Sequence, residues 1–174
     1  MGDRHVFNKG TDSEMLAMDI VAFLRKWGMW QDVQIFTGGK CYTDSDGELV
    51  VRDEKHPEKY LEGISHYECN GHTVWKDLSN SERFLDMTFE GALSLLLRHH
   101  EYEDFLMRQA VEREYVSYEY FEEEICDEDD CDSETFYDNN RIASMIIEEF
   151  NNLLEKYGLW YDLCFSWSLT TYRI

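Results

Sequence analysis

The chain has 174 residues, 43% hydrophobic and 15% aromatic, with a single proline. That length suits one compact domain burying roughly 70% of its unfolded surface, and the composition excludes a proline-rich or disordered chain. Thirty-seven acids against sixteen Lys and Arg give a net charge of −21, which repels nucleic acid and anionic membranes and attracts basic surfaces.

A partner that itself binds nucleic acid therefore fits better than free DNA or RNA. The opening MGDRHVFNKG lacks the apolar core of a secretory signal, and no apolar run approaches the ~20 residues of a membrane span. A cytoplasmic protein is expected. Five cysteines, an odd number, read as reduced thiols, with metal binding favoured over a disulfide framework.

The first helix starts at Thr11-Asp12-Ser13-Glu14, which has capping-box spacing. Met15, Leu16, Ile20, Phe23 and Leu24 form its apolar face, and Gly28 ends it. Residues 32–36 alternate as a half-buried strand. Gly38-Gly39 turns the chain, and residues 40–43 return it. Asp46-Gly47 leads into a further strand over residues 48–51. Residues 64–69 and 72–78 flank Asn70-Gly71, the favoured pair for a two-residue hairpin. Residues 83–89 form a strand with Phe84, Asp86 and Thr88 opposing Leu85, Met87 and Phe89. Gly91 precedes a helix over residues 92–99. Residues 101–125 are helical in composition, although residues 116–120 also alternate as a strand does; whether 115–125 is helix or strand stays open. A last helix spans residues 134–157, Gly158 stops it, and a last strand covers residues 162–172.

One local phrase occurs twice. RKWGMWQDV at residues 25–33 and EKYGLWYDL at residues 155–163 share a Gly-apolar-Trp-x-Asp centre. The offset of 130 relates Gly28 to Gly158, Trp30 to Trp160 and Asp32 to Asp162. It also relates Met15, Leu16, Ile20, Phe23 and Leu24 to Met145, Ile146, Phe150, Leu153 and Leu154. A helix with a glycine C-cap, leading to a strand, is thus used twice. The expected fold class is α+β: an antiparallel or mixed sheet with helices packed on one face, and two similar helix–Gly–strand units at the N- and C-terminal ends. Residues 1–174 form a single domain.

Metal chemistry has one dense candidate. His66, Cys69 and His72 surround the Asn70-Gly71 turn, and Cys41 flanks another turn. Cys sulfur and His nitrogen are zinc ligands, four to a structural site. In a regular hairpin Cys69 and His72 share a face and His66 takes the other, so an irregular turn is needed to gather all three. Polar hairpin tips also carry His without metal, and Cys is a common small core residue. Cys126 and Cys131 bracket four acids and read as a solvated acidic loop. Gly38-Gly39-Lys40 lacks the rest of a phosphate-binding loop, and His99-His100-Glu101 is not the HExxH of a metalloprotease. No Ser/His/Asp arrangement stands out.

Residues 101–135 carry fifteen acids against Arg108 and Arg113, a net −13. Tyrosines are interleaved, and tyrosine favours interfaces because it buries area while still hydrogen-bonding. The candidate partner-binding residues are Glu112, Glu114, Tyr118, Glu119, Tyr120, Glu122, Glu123, Glu124, Asp127, Asp129 and Asp130. Carboxylates repeated along such a surface can occupy a groove built for nucleic-acid phosphates; an acidic face kept for solubility is the plainer alternative.

KWGMWQDV (26–33), FLDMTFEGAL (84–93) and KYGLWYDLCFSWSL (156–169) resemble segments of mobile-element proteins. In size, acidity and lack of a catalytic signature the chain resembles anti-CRISPR inhibitors of type II effector nucleases, and next to them DNA-mimic antirestriction proteins. The resemblance carries no catalytic residues. It implies a non-enzymatic inhibitor in the bacterial host cytoplasm, whose partner is a CRISPR effector nuclease or another nucleic-acid-binding defence protein, with no nucleic acid bound directly. The alternative is a small zinc-binding enzyme or regulator using Cys41, Cys69 and His72.

Overall fold

The computed structural model describes residues 6–8, 11–53, 68–69, 72–73, 83–116, 135–165 and 167–174. Helix α1 (Asp12–Lys26) buries Leu16, Ala17, Ile20, Val21, Phe23 and Leu24 along one stripe, the apolar period of a half-buried helix. The capping box does not form. Thr11 sits at φ −113°, ψ −32° and its hydroxyl caps no helix N–H, since a capping side chain needs extended backbone. Instead the Asn8 carbonyl accepts the Thr11 and Asp12 N–H groups at 3.1 and 2.8 Å, and the Asp12 carboxylate accepts the Asn8 N–H at 2.8 Å.

The other end of α1 closes as the glycine signalled. Gly28 lies at φ +71°. The Met29 N–H reaches the Leu24 carbonyl at 2.7 Å and the Gly28 N–H reaches Arg25 at 3.2 Å, the bond pair of a Schellman motif.

Strands β1 (Val33–Thr37), β2 (Lys40–Ser45) and β3 (Glu48–Asp53) form a meander. Both of its turns, Gly38-Gly39 and Asp46-Gly47, have positive φ at both residues, as tight hairpins require. Strands β4 (Glu68–Cys69) and β5 (His72–Thr73) pair with each other; the rest of the hairpin expected over 64–78 lies outside the described residues. Next come β6 (Arg83–Phe89), α2 (Ala92–His99), α3 (Asp104–Glu112) and α4 (Thr135–Lys156). Residues 117–125, read as helix or strand, lie outside the described residues. The single strand expected over 162–172 is instead a hairpin, β7 (Leu159–Phe165) with β8 (Ser168–Arg173). The residues between them, Ser166 and Trp167, include neither glycine nor proline, so nothing in the sequence marks the reversal.

The fold is α+β. Six strands run in the order β3-β2-β1-β6-β8-β7, every neighbouring pair antiparallel. Val33, Ile35, Tyr42, Leu85, Met87, Phe89, Leu159 and Leu169 from the sheet join buried residues of the four described helices in one core. Burying one such large side chain contributes about 1.5–3 kcal/mol.

The helix–Gly–strand unit recurs, and its inward positions match across the 130-residue offset. Leu16 and Ile146, Ile20 and Phe150, Leu24 and Leu154, Trp27 and Tyr157, and Met29 and Leu159 are all buried. Gly158 sits at φ +69° and donates to the Glu155 carbonyl at 2.8 Å, as Gly28 does to Arg25. The match has limits. Met15 and Met145, expected on the apolar faces, are both exposed; each sits on the solvent shoulder of its helix. Leu153, expected to be buried, is only partly so.

Trp30 and Trp160 are not equivalent. β7 starts directly after Gly158, whereas four residues separate Gly28 from β1, with Asp32 at φ +54°. That turn swings Trp30 into the core, while Trp160 stays 48% exposed on the edge strand. Its indole N–H donates to the Arg173 carbonyl at 3.2 Å.

Candidate functional site

The acidic segment begins at α3, and the packing of α3 is set by the end of α1. Leu106 lies so close to Gly28 that a Cβ there would meet its Cδ2 at 2.9 Å. The Tyr102 hydroxyl donates to the Trp27 carbonyl at 2.6 Å, and its ring meets Trp27 edge-on at 6.0 Å. Burial pushes the Tyr102 hydroxyl pKa well above that of free tyrosine. Tyr115 covers Trp27 from the far end of α3, at 5.9 Å, and the Lys26 ammonium sits over both rings. Leu106, Met107 and Ala110 face inward.

What α3 and its flanks turn outward is acidic with aromatic interruptions. Glu101, Glu103, Asp104, Glu112 and Glu114 are exposed, as are Arg108 and Arg113. Phe105, in their midst, is 66% exposed, and Tyr115 is exposed as well. α3 closes with a Schellman motif: the Tyr115 N–H reaches the Ala110 carbonyl and the Glu114 N–H reaches Val111, both at 2.9 Å. The left-handed residue that such an ending needs is here Glu114, at φ +60°. Glycine takes that conformation without strain; a side chain there costs about 1–2 kcal/mol.

Of the candidate partner-binding residues, Glu112 and Glu114 are thus placed together at the exposed end of α3. Tyr118, Glu119, Tyr120, Glu122, Glu123, Glu124, Asp127, Asp129 and Asp130 lie outside the described residues.

Of the candidate zinc ligands, Cys69 and His72 are directly opposite each other in the β4–β5 ladder. Cys41 is fully buried in β2, paired with Phe36 on one side and Arg52 on the other. His66 lies outside the described residues. Among the described residues no three His, Cys, Asp or Glu side chains gather as a metal site.

Sequence reasoning gave no functional weight to a polar row that crosses the sheet. Asp86, in the inner strand β6, is only 2% exposed. Its carboxylate accepts the hydroxyl of Thr170 on β8, and the Cys164 thiol reaches that same hydroxyl at 3.5 Å. Thr88 donates to the Gln34 side-chain oxygen at 3.2 Å nearby. The only signal in sequence is a lone acid between apolar neighbours in Phe-Leu-Asp-Met-Thr-Phe. The partner of Cys164 there is a hydroxyl, whereas activation of a thiol nucleophile calls for a base. The row ties polar side chains together across four strands, β1, β6, β8 and β7.

No described helix is long and apolar enough to cross a membrane. Comparison with known proteins found no matching family, no matching curated protein and no matching solved structure.

Proposed function

We propose that the chain is a non-enzymatic inhibitor that docks its 101–135 surface on a basic, nucleic-acid-binding face of a bacterial defence enzyme, a type II CRISPR effector nuclease, and hinders DNA loading. The observation that carries this reading is Glu114. A carboxylate held in a left-handed slot, where glycine is unstrained, gives up stability for a charged side chain at the tip of an acidic helix. Strain kept at one surface position is a motive for function there. The net −13 of the segment supplies attraction to a basic face, and exposed Phe105 and Tyr115 supply the apolar and aromatic contacts that slow dissociation.

The test compares two variants of equal charge. In one, Glu112, Glu114, Glu119 and Glu122 become Lys; in the other, Asp46, Glu48, Glu148 and Glu155 do. Binding and cleavage inhibition are measured against a panel of type II effector nucleases and restriction nucleases, with and without preloaded target DNA. The first variant should lose binding, the second should keep it at matched ionic strength, and preloaded DNA should protect the nuclease. Equal loss in both variants reduces the segment to bulk charge. Inhibition confined to a restriction nuclease moves the protein to the DNA-mimic antirestriction class.

A further inference from the structure

The contact between α1 and α4 has a property that the repeated sequence alone does not require. The Lys26 ammonium binds the Glu149 carboxylate at 2.8 and 2.9 Å, and the Trp27 indole N–H donates to the same carboxylate at 3.2 Å. At the other end of the helix pair, the Lys156 ammonium binds the Asp19 carboxylate at 2.7 Å, and the Tyr157 hydroxyl donates to that carboxylate at 2.7 Å. Moving each residue by 130 positions turns one set into the other: 26 becomes 156, 27 becomes 157, and 19 becomes 149. Each carboxylate takes one ammonium and one aromatic donor from the last turn of the opposite helix and the residue that follows it.

This exchange is the signature of twofold symmetry. In an isologous contact residue i of one copy meets j of the other, and j meets i. Copies related by translation, as in a solenoid, do not exchange contacts in this way. The sheet obeys the same operation. Within the four strands β1-β6-β8-β7, β6 and β8 pair antiparallel in the middle, β1 lies outside β6, and β7 lies outside β8. β1 and β7 therefore run in opposite directions at equal distances from the central pair. An axis normal to the sheet, through the β6–β8 pair, exchanges α1–β1 with α4–β7. The symmetry ends where β1 turns outward to β2 while β7 turns inward to β8.

We infer that the α1–α4 contact is a homodimer interface of one α–β unit carried inside a single chain. The recognition surface of that unit is Asp19, Lys26 and Trp27 in one copy and Glu149, Lys156 and Tyr157 in the other. Its partner is a second copy of itself: an acid in mid-helix facing a base and an aromatic donor at the helix end. Each surface is complementary both to its counterpart and to its own image.

Double-mutant cycles on the full chain test this by urea denaturation. One cycle uses Lys26→Glu, Glu149→Lys and both together; the other uses Lys156→Asp, Asp19→Lys and both together. Each single reversal should lower the folding equilibrium constant, and each exchange should recover about two- to five-fold, the range for partly exposed ion pairs. The two cycles should agree within a factor of two. A second pair of variants covers the case in which reversals unfold the chain. Trp27→Tyr with Glu149→Asp writes the second clasp's chemistry into the first, and Tyr157→Trp with Asp19→Glu does the converse. Both should fold with wild-type cooperativity. Coupling in one cycle with none in the other, or failure of one transplant while the other folds, overturns the inference.

Discussion

Replacing Gly28 by Ala tests how the end of α1 places the acidic helix. Two costs add. Gly28 is at φ +71°, where any Cβ costs about 1–2 kcal/mol. The new methyl would also stand 2.9 Å from Leu106 Cδ2, an overpacked contact of the kind that costs about 1–3 kcal/mol. Leu106 Cδ2 is the free end of a flexible side chain and can shift by a few tenths of an ångström, so the sum should fall at about 2–4 kcal/mol. Gly39 supplies the control. It has nearly the same φ, +74°, but nothing lies within 4 Å of its Cβ position. Gly39→Ala should therefore show the strain alone, about 1–2 kcal/mol. Glu114→Gly is the reverse exchange. It relieves strain at φ +60° but adds unfolded-state entropy worth about 0.4–1 kcal/mol, so stability should hold or rise slightly. Urea midpoints at constant slope read all three. Equal costs for Gly28→Ala and Gly39→Ala would refute the close approach of α3 to the helix end. A marked loss in Glu114→Gly would refute the claim that Glu114 is strained.

Leu154→Ala should cost about 2–5 kcal/mol as a fully buried large-to-small change. Leu153→Ala should cost clearly less, and exposed Met145→Ala should stay within about 0.5 kcal/mol; chemical denaturation ranks the three. Tyr102 should give the fold an alkaline limit. Desolvation raises its folded pKa above the unfolded value near 10, so its contribution is intact below pH 10 and is lost as pH climbs beyond it. Tyr102→Phe should flatten part of that fall, leaving the part due to Tyr42, Tyr157 and Tyr161, which burial also raises. Urea midpoints from pH 8 to 11.5 measure it, and an unchanged slope would contradict the assignment.

Local signals with a steric cause were legible in the sequence. Glycine at a helix end, two-residue turns and strict alternation each leave few conformations open, which is why α1, β6, α2 and α4 begin and end within a residue or two of their expected places. The β7–β8 reversal was not legible, because a turn built without glycine or proline resembles the strand on either side. Leu153 and Met145 were misjudged for another reason. Helical periodicity gives the direction of a stripe, but its width depends on what packs beside it, and here α1 covers only part of that arc. The acidic character of α3 was plain from composition. Glu114 was not, since nothing in sequence separates a strained glutamate from a relaxed one. Asp86 stood in view as a lone acid in an apolar strand, and only the pairing of β6 with β8 showed that Thr170 answers it.

The order of the sheet also governs when it can be completed. β8 is the last strand along the sequence, yet it lies between β6 and β7. On the ribosome β6 can pair with β1 early, but its other edge stays open until residues 168–173 clear the exit tunnel. Until then the nascent chain presents an unpaired inner strand, apolar on one side, of the kind to which chaperones and other copies of the chain adhere. Closure by pairing across some eighty residues is slow relative to local hairpins. Synthesis pauses just before β8 should therefore lengthen the most aggregation-prone moment in the life of this protein.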